Sequence, residues 1–467
     1  MRKKSILLAL LALLIGVLAL TAAGCGGDDE GGSDTAASGD TGEGDGGGGG
    51  DVSELPSASC EAMVYEGEGS PDVLIASDLP LQGSSRTQTV QMVEGIQFVL
   101  EQRGWKAGDT NVGYQSCDDS TAQAGKWDPG KCSQNANAYA QNEAVVGVIG
   151  TFNSGCAAIV IPVLNNAPGG GVAMVSPANT YVCLTEAGPG CAKDEPDKYY
   201  PAGSRNYTRM VAHDAYQGAA VAQYAQSIGI ESVYVLNDRE AYGLGVAQNF
   251  RNAAESLGME VSGFAAWDPK ASSYEALMRK IKASGAQSVF LGGLICENGG
   301  QVIKDKVAVL GPNAATPEEG IVLLMPDGFT TQATIDEAGK SATGAFSSVA
   351  GVPADQLEGA GKEFVDSFME SSGAEPPLEP YTAYAAQAAE VLMSAIEAGG
   401  ADRAAVIQSM FEFTTTDGII APEFEINENG DPTVGPVTIY VAAKSFDTQE
   451  VVTPEAELVE AAKGGGA

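Results

Sequence analysis

The sequence predicts an α/β protein built from two doubly wound lobes, each with a parallel β-sheet. Short apolar runs alternate with amphipathic helical patterns along the chain, which is typical of parallel sheets covered by helices on both faces. The pattern occurs as two series, and the roughly 400 residues that carry it exceed one typical domain. These two observations together predict two lobes.

In the first series, a helix with Met92 and Ile96 on its apolar face separates the first two runs, and a helix through Ile159 separates the last two. The second series contains a helix with Val246 and Phe250 on one face. These helices follow the runs 73–76, 145–149 and 232–236 and are able to cover the sheets. The apolar runs are, in chain order, 73–76, 112–115, 145–149 and 171–175, then 232–236, 288–294 and 321–325.

The N-terminus has the features of an export signal. Three basic residues at 2–4 precede an apolar run at 6–20, and small residues then lead into Cys25. The ending Ala-Ala-Gly-Cys resembles the bacterial lipobox, in which the cysteine becomes the lipidated first residue. The alternative is an ordinary signal peptide with an incidental cysteine.

The segment after Cys25 predicts a disordered tether over residues 26–56. It consists mostly of Gly, Ser, Thr, Asp and Glu, with five consecutive glycines at 46–50, and no Lys or Arg occurs between Lys4 and Arg86. Such a segment buries too little apolar surface to offset its ordering entropy. A Gly-rich flexible coil would let an anchored domain reach a partner in the same membrane.

The charge balance excludes several classes of function. With 25 Lys and Arg against 61 Asp and Glu, the formal net charge is −36, which argues against nucleic acid and against docking on anionic lipid. His213 is the single histidine, so a His-based metal site or a Ser-His-Asp triad is not expected. We expect no cofactor and no metal.

Eight cysteines fit an oxidising compartment. If Cys25 carries lipid, seven remain, and an odd number leaves one thiol over. Cys132 and Cys156 lie near the starts of helices that follow adjacent strands, and Cys183 and Cys191 bracket a short loop. We therefore predict disulfides between Cys132 and Cys156, between Cys183 and Cys191 and between Cys60 and Cys117, with Cys296 free.

Ligands of open α/β sheets bind beyond the carboxyl ends of the strands, so the loops after the strands are the candidate site. Ser154 follows the run 145–149 at the start of a helix, where free backbone N–H groups and the helix dipole favour an anion. The loop 176–180 follows the next strand, and its N–H groups and the Thr180 hydroxyl converge on the same place. The alternative is that Asn153 or Ser154 only caps its helix.

The second series offers groups of different chemistry. Glu297 ends a strand and is placed to hold a ligand cation, or alternatively lies beside a helix cap. Tyr242 either forms a pocket wall or packs in the core. Arg86 and Gln88 lie at the start of the first helix, where they either reach the ligand or stay solvated.

An enzyme is not expected. The segment around Ser154 is not a nucleophile elbow, because Phe152 and Cys156 stand where that motif needs glycine. A secreted hydrolase therefore lacks a convincing catalytic base.

At these loops the sequence resembles the leucine/isoleucine/valine-binding family, the type I periplasmic binding proteins of ABC importers. The resemblance covers roughly residues 72–440 and lies in the order and spacing of several short motifs. These are Leu-Pro-Leu-Gln-Gly at 79–83, Asn-Ser-Gly at 153–155, Ser-Pro-Ala-Asn-Thr at 176–180, Asn-Asp-Arg-Glu-Ala-Tyr-Gly-Leu-Gly at 237–245, Gly-Gly-Leu-Ile-Cys-Glu at 292–297 and Met-Pro-Asp-Gly at 325–328.

The resemblance implies a small ligand, amino-acid-like, bound between the lobes. It assigns the ligand carboxylate to Ser154, Ala178 and Thr180, and the α-ammonium to Glu297. Tyr242 then covers the ligand from the second lobe, and Asp327 lies in another loop of the site. Where the family often has a tyrosine early in the first helix, this chain has Gln88. Members also bind amides, urea and aromatic acids.

These inferences describe an extracytoplasmic, lipid-anchored monomer that closes on its ligand by hinge motion and delivers it to an ABC permease in the membrane. The alternative is a sensory protein of the same fold. We expect the chain to cross between lobes near 209–211, 326–328 and 430–437. The predicted parts are a signal at 1–25, a tether at 26–56, a first lobe at 57–210 plus 328–432, a second lobe at 211–327 plus 433–455, and a disordered tail at 456–467.

Overall fold

The structure of the chain is a computed structural model that describes residues 52–188 and 190–464. The predicted signal, Cys25 and most of the predicted tether lie outside the described residues. The described part contains an α/β fold with two large sheets, as the sequence predicts.

The strands alternate with helices along most of the chain. They are β1 Val73–Leu79, β2 Lys106–Ala107, β3 Thr110–Asp118, β4 Ser120–Thr121, β5 Lys126–Trp127, β6 Val145–Gly150, β7 Ala173–Ser176, β8 Tyr207–Arg209, β9 Ser232–Asn237, β10 Glu260–Ala266, β11 Ser288–Gly292, β12 Val322–Met325, β13 Phe346–Ala350, β14 Thr414–Thr415, β15 Phe424–Glu425, β16 Val437–Ala442 and β17 Phe446–Val452.

Helices separate most of the longer strands along the chain. They are α1 Arg86–Gln102, α2 Pro129–Gln141, α3 Ser154–Asn165, α4 Asp214–Ser227, α5 Ala241–Ser256, α6 Glu275–Ser284, α7 Gly300–Leu310, α8 Gln332–Ala338, α9 Ala360–Ser372, α10 Thr382–Gly399, α11 Arg403–Phe411 and α12 Ala456–Ala462.

The first sheet has the strand order β2-β3-β1-β6-β7-β8. The central strand β1 pairs in parallel with both β3 and β6, so the chain winds outward in both directions from it. One face packs against α1, α9 and α10, and the other packs against α2 and α3. All seven residues of β1 are buried, as expected for a strand covered on both faces.

The second sheet has the order β10-β9-β11-β12-β13-β16-β17. It is parallel from β10 to β13, and then β16 and β17 continue it in the antiparallel sense. Helices α4, α5 and α12 cover one face, and α6, α7 and α8 contribute to the other. Each lobe therefore has its own pair of apolar cores.

The second crossing between lobes differs from the expectation. The sequence predicts it near 326–328, but β13 pairs with β12 and β16 in the second sheet, so residues 328–350 belong to the second lobe. The chain returns to the first lobe only at Gly351–Pro353 and then forms α9 and α10. The Pro-Asp-Gly segment ends a strand, as its turn residues indicate, but sequence alone did not show that one more strand follows in the same sheet.

The predicted disordered tail is wrong over most of its length. Residues Ala456–Ala462 form α12, in which Val459 and Ala462 are buried against α4 and α5. The side-chain amides of Asn249 and Asn252 donate to the Ala462 carbonyl at 2.9 and 3.0 Å. Apolar residues at helical spacing are few in so short a segment, and their burial depends on a groove that only the folded lobe provides.

The predicted cysteine pairing is confirmed. Disulfides join Cys60 to Cys117, Cys132 to Cys156 and Cys183 to Cys191, and Cys296 is free. All three bridges lie in the part of the chain that precedes the second lobe.

Candidate functional site

The loops at the carboxyl ends of the two sheets meet across an interlobe cleft. The contacts that cross it include hydrogen bonds and an ion pair. Ser84 Oγ donates to Glu337 Oε1 at 2.6 Å, the Tyr381 hydroxyl donates to Asp327 Oδ2 at 2.7 Å, and the Lys126 ammonium pairs with Glu297. The candidate site is therefore enclosed by residues that are distant in sequence.

Ser154 begins α3 at the first-lobe wall of the cleft and is 3% exposed. Its Oγ accepts a hydrogen bond from the Tyr181 backbone N–H at 3.3 Å, which ties the helix start to the loop after β7. Asn153 occupies the cap position but its side chain makes no capping hydrogen bond. The capping role that we considered as the alternative is thus not what the structure shows for either residue.

The loop after β7 is folded around the Ser176 hydroxyl. Ser176 Oγ accepts from the backbone N–H groups of Ala178 and Asn179 at 3.2 and 2.9 Å. Ala178 and Thr180 are both buried, and Thr180 Oγ1 lies beside the Asp214 carboxyl without a hydrogen bond of good geometry within the described residues. The loop brings Ala178 and Thr180 to the start of α3, where Ser154 lies.

A buried arginine that the sequence analysis did not single out holds this loop. Arg209 ends β8, and its guanidinium donates to the carbonyls of Asn179 and Tyr181 at 3.0 and 2.9 Å. It also forms an ion pair with Asp431 at 2.6 Å, and the two side chains are 0% and 3% exposed. The carbonyls on both sides of Thr180 are therefore fixed by one cation.

Asp327 lies on the second-lobe wall among neutral donors. Its carboxyl accepts from Gln217 Nε2 at 2.8 Å, from the Tyr242 hydroxyl and from Tyr381 of the first lobe. In the described part of the chain no Lys or Arg forms an ion pair with it. Burial raises the pKa of Asp327, although the three donors act in the opposite direction.

Asp214 links the two walls. It begins α4, and its backbone N–H donates to the Thr180 carbonyl at 2.7 Å. Burial, with the nearby Asp327, raises the pKa of the Asp214 carboxyl well above its ordinary value. The Thr180 loop and Asp327 therefore belong to one site, which holds a buried carboxyl and a partly buried one.

Glu297 differs from Asp327 because it already has a cation. It is 2% exposed and pairs with Lys126, whose Nζ also lies 3.7 Å from Glu240 Oε1. Trp267 Nε1 donates to the Glu297 carbonyl at 2.8 Å and fixes the backbone of this loop. The position that the sequence analysis gives to a ligand ammonium is thus filled by a side chain of the first lobe.

The two candidate residues at the start of α1 differ in their exposure to solvent. Gln88 is buried in its first turn, whereas Arg86 is exposed. Phe152 and Tyr381 add aromatic surface near the cleft, with ring centroids 6.5 Å apart. Sequence reasoning missed Tyr381, which does not follow a strand of the parallel series, and Lys126, which lies in a short hairpin after β3.

The described residues offer no plausible metal centre. Asp119 lies close to the sulfurs of Cys132 and Cys156, but both sulfurs are in a disulfide and supply no thiolate. The second such group combines Glu195 with the bridged Cys183 and Cys191.

Two α/β lobes whose strand-end loops enclose a small polar site define a bilobal binding protein. Residues 73–445 match the model of the family described as periplasmic binding protein, and the chain belongs to this family. It is a substrate-binding protein of the ABC-transporter kind and not an enzyme, and its family acts outside the cytoplasm. Among the described helices, none has the length and apolar character needed to cross a membrane.

Known relatives align with most of the chain. The Leu/Ile/Val-binding protein homolog 2 of Brucella abortus strain 2308 is 24% identical over 391 residues, which are 83% of this chain and 95% of the relative. A leucine-binding protein of Thermotoga maritima has a TM-score of 0.69 and 22% identity, covering 82% of this chain and 99% of that one. A solute-binding protein of R. palustris in complex with benzoate has a TM-score of 0.63 and 18% identity, covering 82% and 96%. The two solved structures share this fold.

Proposed function

We propose that this protein captures an α-amino acid in the interlobe cleft and delivers it to an ABC permease. The observation that carries the proposal is the difference between the two acidic residues of the second-lobe wall. Asp327 lies among neutral donors next to the Thr180 loop, while Glu297 has its own lysine. A ligand ammonium would therefore gain a partner at Asp327, whereas Glu297 is already paired.

The first-lobe wall suits a carboxylate. Ser154 and Thr180 supply hydroxyls, and the start of α3 supplies a positive dipole end. The relatives are named for leucine, isoleucine and valine, and one structural neighbour holds benzoate. All of these compounds are carboxylic acids, so the carboxylate is the group that the proposal requires.

The ammonium role that the resemblance assigns to Glu297 we assign to Asp327. Asp214 is buried and Asp327 is partly buried, and the charge of Asp327 raises the cost of ionising Asp214. A ligand ammonium would offset this repulsion directly. At Glu297 it would instead meet the Lys126 ammonium, which a buried site disfavours.

A ligand screen and one variant test the proposal. A thermal-shift screen of amino acids, amides and aromatic acids identifies the best ligand, and titration calorimetry then compares leucine with 4-methylpentanoate, which lacks the ammonium. We expect Asp327→Asn to weaken leucine binding by about 2–5 kcal/mol, because the ammonium loses its charged partner in the closed cleft. That is roughly 30-fold or more.

The matched ligand is the control, because 4-methylpentanoate has no ammonium to lose. Glu297→Gln should change the affinities for leucine and for 4-methylpentanoate by similar factors. If Glu297→Gln selectively loses affinity for leucine and Asp327→Asn does not, Glu297 and not Asp327 would be the residue that binds the ammonium. Tight binding of an aromatic acid with no amino acid bound would favour the second candidate, a carrier of aromatic carboxylates like the benzoate-bound neighbour.

We further propose that the protein is a monomer and that it is anchored through lipid on Cys25. The residues around that cysteine support the anchor. Cys25→Ser should then release it from the membrane and leave ligand affinity unchanged, as detergent partitioning would measure. A permease partner, and not a sensor kinase, should be recovered by cross-linking in membranes.

A further inference from the structure

The β4–β5 hairpin brings a first-lobe lysine to the second lobe. It follows β3 and ends with Lys126 and Trp127. A β carbon on Gly155 would lie 2.7 Å from the Trp127 ring, so the hairpin packs directly against the start of α3. On the other side, a β carbon on Gly83 would lie 1.6 Å from the Gly125 carbonyl. The hairpin is thus wedged between two loops of the candidate site.

Lys126 contacts two acidic residues of the second lobe. Its ammonium pairs with Glu297 and lies 3.7 Å from Glu240 Oε1. The Lys126 side chain is 27% exposed and that of Glu297 is 3% exposed. Because the lysine is on one lobe and both carboxylates are on the other, these ion pairs exist only when the lobes are closed.

We propose that Lys126 is a positioning residue, a latch that stabilises the closed cleft without contacting the ligand. The inference rests on the proposed function, in which ligand binding and lobe closure are coupled. A group that stabilises the closed state raises the apparent affinity of every ligand by the same factor, because each ligand then needs less of its binding energy for closure. The latch therefore sets affinity and leaves selectivity to Asp327 and the Thr180 loop.

The charges around the latch explain why one lysine serves two carboxylates. Glu240 begins the turn into α5 and faces Gly155 as well, since a β carbon there would lie 3.5 Å from Glu240 Oε2. Without Lys126, Glu240 and Glu297 would repel each other. On closure, their two negative charges would face the first lobe without a positive charge to compensate them. Reversing the lysine charge should therefore hinder closure more than removing it.

The test uses Lys126→Met, Lys126→Glu and Lys126→Arg in the full-length mature protein. Calorimetry with leucine, phenylalanine, 4-methylpentanoate and benzoate should show that Lys126→Met weakens all ligands that bind the wild type by a common factor, roughly 3- to 10-fold. Lys126→Glu should weaken them further, and Lys126→Arg should restore most of the affinity. Lys106→Met, at an exposed lysine of the same lobe, is the control for net charge.

Small-angle X-ray scattering supplies a readout that a purely structural role would not move. The ligand-free Lys126→Glu protein should have a larger radius of gyration than the wild type, with an unchanged melting transition. Loss confined to ligands of one charge class, or unchanged affinity and radius in both variants, would overturn the latch. If no carboxylate binds the wild type, the proposed function fails, and the scattering comparison still decides on the latch.

Discussion

Two ion pairs in this protein resemble each other in chemistry and differ in what surrounds them. Arg209 and Asp431 lie near the crossings between lobes, with side chains 0% and 3% exposed, and the arginine also donates to two loop carbonyls. Lys126 and Glu297 face each other across the cleft, and the lysine is 27% exposed. The first pair is enclosed by the fold, whereas the second joins surfaces of two lobes.

The difference shows that the burial of an ion pair decides whether the pair stabilises the fold or takes part in lobe closure. A fully buried pair that loses one partner leaves an uncompensated charge in a medium of low dielectric constant, so the pair cannot open without large cost. A half-solvated lysine can return to water, so its pair forms and breaks cheaply. We therefore expect Arg209–Asp431 to govern stability and Lys126–Glu297 to govern closure.

The largest effect should follow from Arg209→Met. It leaves Asp431 buried without its cation and removes the donors that hold the Asn179 and Tyr181 carbonyls, so the free energy of unfolding should fall by about 3–5 kcal/mol. Urea denaturation measures this. Arg279→Met, which breaks an exposed pair with Glu275, is the matched control and should change stability by less than about 1 kcal/mol. Equal effects of the two variants would remove the contrast.

A smaller effect should come from two buried carboxyls that form no ion pair among the residues that the structure describes. Burial raises the pKa of Asp78 to about 7, and burial together with Asp78 raises that of Asp119 well above its ordinary value. Their protonated forms are favoured in the folded state, so this stabilisation is complete below about pH 4 and is lost as pH rises through 7. We expect the free energy of unfolding to fall by on the order of 1–3 kcal/mol between pH 5 and pH 8.

Asp119→Asn should reduce this pH dependence, because it removes the charge beside Asp78. Melting temperatures at pH 5 and pH 8 measure it, with the exposed Asp109→Asn as the control. A pH dependence in Asp119→Asn as steep as in the wild type would show that other groups cause it.

The smallest effect should be the salt dependence of ligand binding. Salt screens exposed pairs far more than buried ones. Raising the ionic strength from about 0.05 to about 1 M should lower the affinity for a zwitterionic ligand by roughly 2- to 5-fold in the wild type and by less in Lys126→Met. Identical salt slopes in both proteins would mean that the latch contributes no measurable closure energy.

The strand series and the Cys183–Cys191 disulfide were accessible from sequence because each depends on local signals. Apolar runs such as 73–76 and 145–149 became β1 and β6, and Ser154 lies at the helix start where the pattern places it. The point at which the chain returns from the second lobe to the first could not be predicted in the same way. Nothing local distinguishes β13 from a strand of the first lobe, since its membership depends on pairing with β12 and β16.

The sequence by itself determined the class of this protein, because periodicity, strand-end motifs and composition are written in consecutive residues. Only the tertiary structure decided which acid has a cation. Glu297 and Lys126 are 171 positions apart, and Tyr381 reaches Asp327 from 54 positions away. Charge compensation depends on distance in space and on burial, and both arise only when the lobes fold and close on each other.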